Sequence, residues 1–99
     1  MPGFKIIWSP KSRKSYIKIA DYILEKWSKK ELEKFNRITS STIQKIAKNP
    51  EMFVVSKQKK EIRKGFITKQ TSLLYRIKSN EIQLIYFWDN RQNPKKKKM

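Results

Sequence analysis

Apolar side chains recur along this chain in two rhythms, and the change between them falls near residue 52. In the first half, Tyr16, Ile19, Ala20, Ile23, Leu24 and Trp27 follow one another at steps of three and four, which places them in one stripe on a helix. Ser9-Pro10 supplies the start, with Ser9 as N-cap and Pro10 at the first helical position, where a missing amide proton costs nothing. Arg13, Lys14, Lys18, Asp21, Glu25 and Lys26 fall largely off the stripe, so all six of its members are predicted to be core. A second start follows at once. Ser28-Lys29-Lys30-Glu31 has the spacing of a capping box, and Leu32, Phe35, Ile38 or Thr39, Thr42, Ile43 and Ile46 continue a helical stripe until Asn49-Pro50 closes it. So short a junction predicts an antiparallel helical hairpin.

The second rhythm is that of strands. Phe4 to Trp8 ahead of the helices is β-branched and aromatic, and the runs Ile62–Thr68, Leu73–Lys78 and Ile82–Trp88 read the same way. Lys69-Gln70-Thr71-Ser72 separates the first two of these runs, and Ser79-Asn80 makes a tight turn before the third. Links this short require antiparallel neighbours. The order β-α-α-β-β-β predicts an α+β fold, a curved and mainly antiparallel sheet with the helical hairpin packed on one face. Residues 1–94 read as one domain, and Lys95 to Lys98 as a basic tail without fixed structure.

Composition narrows the chemistry. The 99 residues suffice for one modest core, with 37% hydrophobic residues that include three Trp, five Phe and four Tyr. The absence of cysteine removes disulfides and thiolate zinc sites, and the absence of histidine removes the usual proton shuttle near neutral pH. No apolar run reaches the roughly 18 residues of a membrane span, and the N-terminus has no signal-peptide pattern, so a cytoplasmic location is expected. Twenty-five Lys and Arg against eight Asp and Glu give a net charge of +17, which favours a polyanionic or acidic partner.

Several strings, taken in order, resemble the RelE/ParE superfamily of toxins from toxin–antitoxin modules. They are Trp8-Ser9-Pro10, Ile19-Ala20-Asp21-Tyr22-Ile23, Ile46-Ala47-Lys48-Asn49-Pro50-Glu51, Ile62-Arg63-Lys64, Leu74-Tyr75-Arg76-Ile77, and a last strand running into Asp89-Asn90-Arg91. The resemblance spans the chain to about Pro94. It implies a toxin neutralised by a cognate antitoxin, expected to be acidic and helical, and one of two targets. ParE-like members block DNA gyrase by binding, while RelE-like members cut messenger RNA on the ribosome. No cofactor and no metal are implied. A nucleic-acid-binding module without toxicity is a further alternative, supported by charge alone.

The target depends on residues rather than fold. RNA cleavage needs a proton acceptor, a proton donor and cations for the phosphorane. The resemblance would place Arg91, Arg63 and Lys69 in that role, but no Tyr follows Tyr86, and Thr71 and Ser72 stand where a basic residue is expected before the Leu-Leu-Tyr strand. The ParE-like reading is therefore preferred, with Arg63, Lys64, Lys69, Trp88 and Arg91 as candidate target contacts. Four of the five have a plainer explanation. Arg91 could pair with Asp89 at a strand end, and Arg63, Lys64 and Lys69, with Lys57, Lys59 and Lys60, could form a solvated face. Trp8, Tyr75, Tyr86 and Phe87 read mostly as core, with Trp88 the exception. Asp21 and Glu25, one turn apart, read as a solvated pair rather than a catalytic one.

Overall fold

In the computed structural model, residues 3–56 and 61–92 are described. Strand β1 (Lys5–Trp8) leads into helix α1 (Pro10–Lys26) and helix α2 (Lys29–Lys48). A 3-10 turn at Pro50–Met52 precedes strands β2 (Arg63–Phe66), β3 (Thr71–Lys78) and β4 (Glu81–Asp89), and a second 3-10 turn covers Asn90–Gln92. The four strands form one sheet in the order β1-β4-β3-β2, antiparallel except where β1 runs parallel to β4. The predicted β-α-α-β-β-β fold is the one found, with the hairpin on a single face of the sheet. The basic runs at 57–60 and 95–98 lie outside the described residues, and no helix among those described is long and apolar enough to cross a membrane.

Ser9 and Ser28 both cap as the sequence leads one to expect, although at Ser28 only the serine half of the capping box forms. Ser9 accepts a hydrogen bond from the Ser12 amide at 3.0 Å, and Ser28 accepts one from the Glu31 amide at the same distance. The Ser28 amide donates to the Ile23 carbonyl, so this residue ends one helix while it starts the next. Tyr16 stacks on Phe35 across the hairpin, and Trp8 stacks on Phe87 beside them. Ile19, Ile23, Phe35, Ile43 and Ile46 meet Leu73, Tyr75, Ile82, Leu84 and Phe87 of the sheet in one buried cluster.

Two members of the α1 stripe are exposed rather than core. Leu24 is 50% exposed and Trp27 is 57% exposed, whereas Ile23 is 2% exposed. The stripe is wider than the contact it makes. Ile19 and Ile23 already fill the contact with the sheet, and Trp27, the C-cap of α1, has left the packed turn of the helix. The strands also differ at their ends. β2 is shorter than the predicted Ile62–Thr68, and Thr71 and Ser72, read as connection, begin β3. The link there is only Ile67 to Gln70, closed by the Ile67 amide bonding the Thr71 carbonyl and by Thr68 Oγ1 accepting from the Gln70 and Thr71 amides. Gly65 of β2 allows the Phe53 ring to lie against the strand. A Cβ there would come within 2.7 Å of that ring.

One irregularity shapes the rest of the molecule. β3 and β4 pair as Leu74↔Tyr86 and then Tyr75↔Leu84, leaving Ile85 as an extra residue on β4. Such a bulge breaks the strict alternation of faces and leaves ladder groups unpaired. Helix α1 takes them up. The Ile85 carbonyl accepts from Ser9 Oγ at 3.3 Å, and the Phe87 amide donates to Ser15 Oγ at 2.9 Å. Before the bulge Ile82 and Leu84 face the helices. After it Phe87 and Asp89 do, and both Ile85 and Tyr86 turn to the opposite face.

Candidate functional site

The face of the sheet away from the helices is open and largely apolar. Leu74 and Ser72 from β3, Ile85, Tyr86 and Trp88 from β4, and Ile62 and Lys64 beside and on β2 line a groove of about 720 Å3. Val54, Val55 and Ser56 form its outer wall. That wall is held by backbone pairing, since the Lys64 amide donates to the Val54 carbonyl and the Ser56 amide to the Ile62 carbonyl. Val54 is 76% exposed, Phe66 53% and Trp88 37%. Such a cluster of exposed large apolar side chains marks an interaction surface more often than chance.

Cations stand around this groove. The Lys11 ammonium, from the first turn of α1, sits 4.9 Å from the centre of the Tyr86 ring, and the Lys64 ammonium 5.6 Å from that of Phe66. Arg76 donates to Gln83 at 2.8 Å and faces Glu61 at 3.8 Å. Among the described residues, no acidic side chain lines the groove itself. The indole of Trp88 donates to Asn90 Oδ1, so its polar edge is satisfied while its ring faces outward.

A second feature lies where the end of β4 meets α2. Asp89 is buried beneath Arg91 and accepts from the Arg91 amide (2.9 Å), Nε (3.1 Å) and Nη2 (2.9 Å). The Thr71 hydroxyl donates to the same carboxylate. Burial alone would raise the Asp89 pKa, but the hydrogen bonds from Arg91 and Thr71, with the Arg91 charge, outweigh it and hold the carboxyl below its usual range. The same hydrogen bonding to Asp89 raises the Arg91 pKa, against burial, with help from the Asp89 charge, Tyr22 and Glu31. The guanidinium is thus fixed in place at the edge of a cleft that it shares with Lys34, Lys69, Glu31 and Thr68.

The five candidate contact residues therefore occupy three places. Lys64 and Trp88 share the open sheet face. Lys69 and Arg91 share the cleft beside α2. Arg63 lies in register with buried Tyr75 and donates to the Phe53 carbonyl at 2.7 Å, which ties down the segment before β2. Burial raises the Tyr75 pKa, against the charge of Arg63, and its hydroxyl donates to the Pro50 carbonyl. Asp21 and Glu25 are both exposed, and no group of three potential metal ligands occurs among the described residues. Tyr75, Phe87 and Trp8 pack with the core as expected, but Tyr86 lines the open face.

Sequence reasoning missed Leu74, Ile85, Tyr86, Val54, Val55 and Ile62 as surface residues. The alternation Leu73 in, Leu74 out could have revealed Leu74. No local signal marks the bulge that turns out both Ile85 and Tyr86. The burial of Asp89 and Thr71 was missed as well, because the predicted strands end at Trp88 and start at Leu73. With β4 reaching Asp89 and β3 starting at Thr71, both continue the inward phase of Phe87 and Leu73.

Comparison with known proteins agrees with this architecture. A toxin–antitoxin structure described as a chromosomal ParDE system from P. aeruginosa superposes with a TM-score of 0.73, at 14% identity, over 87% of this chain and 95% of that one. A copper-bound mutant toxin from Helicobacter pylori gives 0.58 at 17% identity, covering 91% and 98% of the two chains. A conserved protein from the same organism, solved in solution, gives 0.58 at 18% identity, covering 89% and 96%. At these identities the likeness establishes the fold. No curated protein matches the sequence. The family model for the ParE toxin of the type II toxin–antitoxin system parDE does match, over residues 6–94, and the chain belongs to that family.

Proposed function

We propose that this toxin acts by binding a protein target, DNA gyrase, and that an acidic, helical antitoxin silences it by occupying the open sheet face. One observation carries the reading, the apolar character of that face. A surface that tracks an RNA backbone is polar and cationic, because each phosphate contact needs a donor. The groove instead offers Leu74, Ile85, Tyr86, Trp88, Val54 and Val55, with Lys64 the one cation among its described lining residues and Lys11 beside Tyr86. That is the composition of a protein interface, an apolar centre with a polar border. An amphipathic helix would lay its apolar side in the groove and set acidic flanks against Lys11 and Lys64. Lys64 and Trp88 are then partner contacts by position.

The endoribonuclease alternative is weaker on the same ground. Arg63 is bonded to a backbone carbonyl and Arg91 to Asp89, and neither lines the open face. The +17 charge acts as a long-range attraction for acidic partners in the cytoplasm and speeds their encounter. A supercoiling assay with purified gyrase, run beside primer extension on a translated message, tests the proposal. Inhibited supercoiling with an intact message supports it. Codon-spaced cleavage with unaffected gyrase would overturn it.

A further inference from the structure

The cleft between α2 and the β2–β3 turn lies on the helix side of the molecule and is separate from the groove on the open sheet face. It holds about 270 Å3 lined by Ile23, Phe35 and Ile38 together with Lys34, Lys69 and Arg91. We propose that this cleft is a second binding site, one that takes a carboxylate carried next to an apolar side chain, as in an acidic peptide segment of a protein partner.

Charge count selects a single anion. Lys34, Lys69 and Arg91 contribute three positive charges, Glu31 in the lining and Asp89 behind Arg91 contribute two negative ones, and the difference is one positive charge. A track of phosphates would bring more charge than the cleft can balance and would press against Glu31. A lone carboxylate matches the balance. The guanidinium is already positioned for it. Its Nε and Nη2 are used on Asp89, and no hydrogen bond among the described residues involves its Nη1. The buried carboxylate fixes the orientation of that free donor, so little side-chain entropy is lost when a ligand arrives. Lys34 and Lys69 form no ion pair among the described residues.

The remaining lining fits a peptide. Thr68 Oγ1 accepts two amide hydrogen bonds from Gln70 and Thr71, which leaves its hydroxyl proton for a ligand oxygen. Glu31 can accept from a peptide N–H. Ile38 is half-buried beside Phe35 and Ile23, which are themselves only 4% and 2% exposed, so Ile38 is the apolar contact that the cleft offers to a neighbouring side chain of the ligand. The site stands independently of what the open face binds and of whether gyrase is the target.

The test is a titration of the isotopically labelled full chain with the blocked dipeptide acetyl-Leu-Glu-amide, followed by backbone amide shifts. Acetyl-Leu-Gln-amide and inorganic phosphate serve as the other two probes. Saturable shifts confined to Thr68, Lys69, Gln70 and Arg91, at least about tenfold tighter for the Glu than for the Gln peptide, support the site. The exchange Lys69→Ala, on an exposed turn, should weaken that binding while leaving the melting temperature unchanged. Equal response to the Gln peptide, tighter binding of phosphate than of the Glu peptide, or no response at these four residues would each overturn it.

Discussion

The two faces of the sheet are made by alternate residues of the same strands, and they have opposite surroundings. Leu73, Tyr75, Ile82, Leu84 and Phe87 are sealed under the helical hairpin, while Leu74, Ile85, Tyr86 and Trp88 lie open a residue away. Hydrophobicity alone does not distinguish the two sets. What distinguishes them is coverage, because the helices among the described residues pack on one face only. The inner face therefore carries the stability, and the outer face keeps apolar area uncovered among the described residues, the surface proposed above to receive a partner. The bulge at Ile85 sharpens the difference by turning two consecutive apolar residues outward and handing the freed backbone groups to Ser9 and Ser15.

Substitutions can break this contrast, beginning with the largest expected effect. Phe87→Ala empties the centre of the core beneath Trp8 and Tyr16 and should cost about 3–5 kcal/mol in urea denaturation. A loss below about 1 kcal/mol would mean that the inner face is not the stabilising one. Asp89→Ala removes the buried acceptor of both Thr71 and Arg91 and should cost about 1–3 kcal/mol.

The same carboxylate gives a pH dependence of known sign. Its pKa is lower in the folded chain than in the unfolded one, so ionised Asp89 stabilises the fold above the unfolded value near 3.8. That contribution fades as pH falls through the lower, folded value. An acid titration of Asp89→Asn should lack this part of the transition. Ser9→Ala loses the α1 cap and should cost about 1 kcal/mol. Trp88→Ala on the open face is expected to cost about 1 kcal/mol or less, since Trp88 lies outside the buried core and is 37% exposed.

Much of this arrangement is legible in the amino-acid order. The Ser9-Pro10 and Ser28 caps, the two helical stripes and the short strand links lead to the right fold because each rests on local physics. Leu24 and Trp27 show the limit. Periodicity says which residues share a helix face, but how much of that face is covered depends on the width of the contact with the sheet. The functional surfaces are less visible for a related reason. Lys64 and Trp88 meet on the open face, and Lys69 and Arg91 in the cleft, only through strand register and a bulge. Lys34 and Glu31 reach that cleft from a helix more than thirty residues away in sequence from Lys69.

The central claim is that the open face belongs to a partner. Its most direct test is the affinity of the cognate antitoxin for the Trp88→Ala and Leu74→Asp chains, measured by calorimetry beside their melting curves. Affinity should fall by at least about tenfold while melting temperatures shift by only a few degrees. Unchanged affinity in both variants, with the fold intact, would contradict the claim.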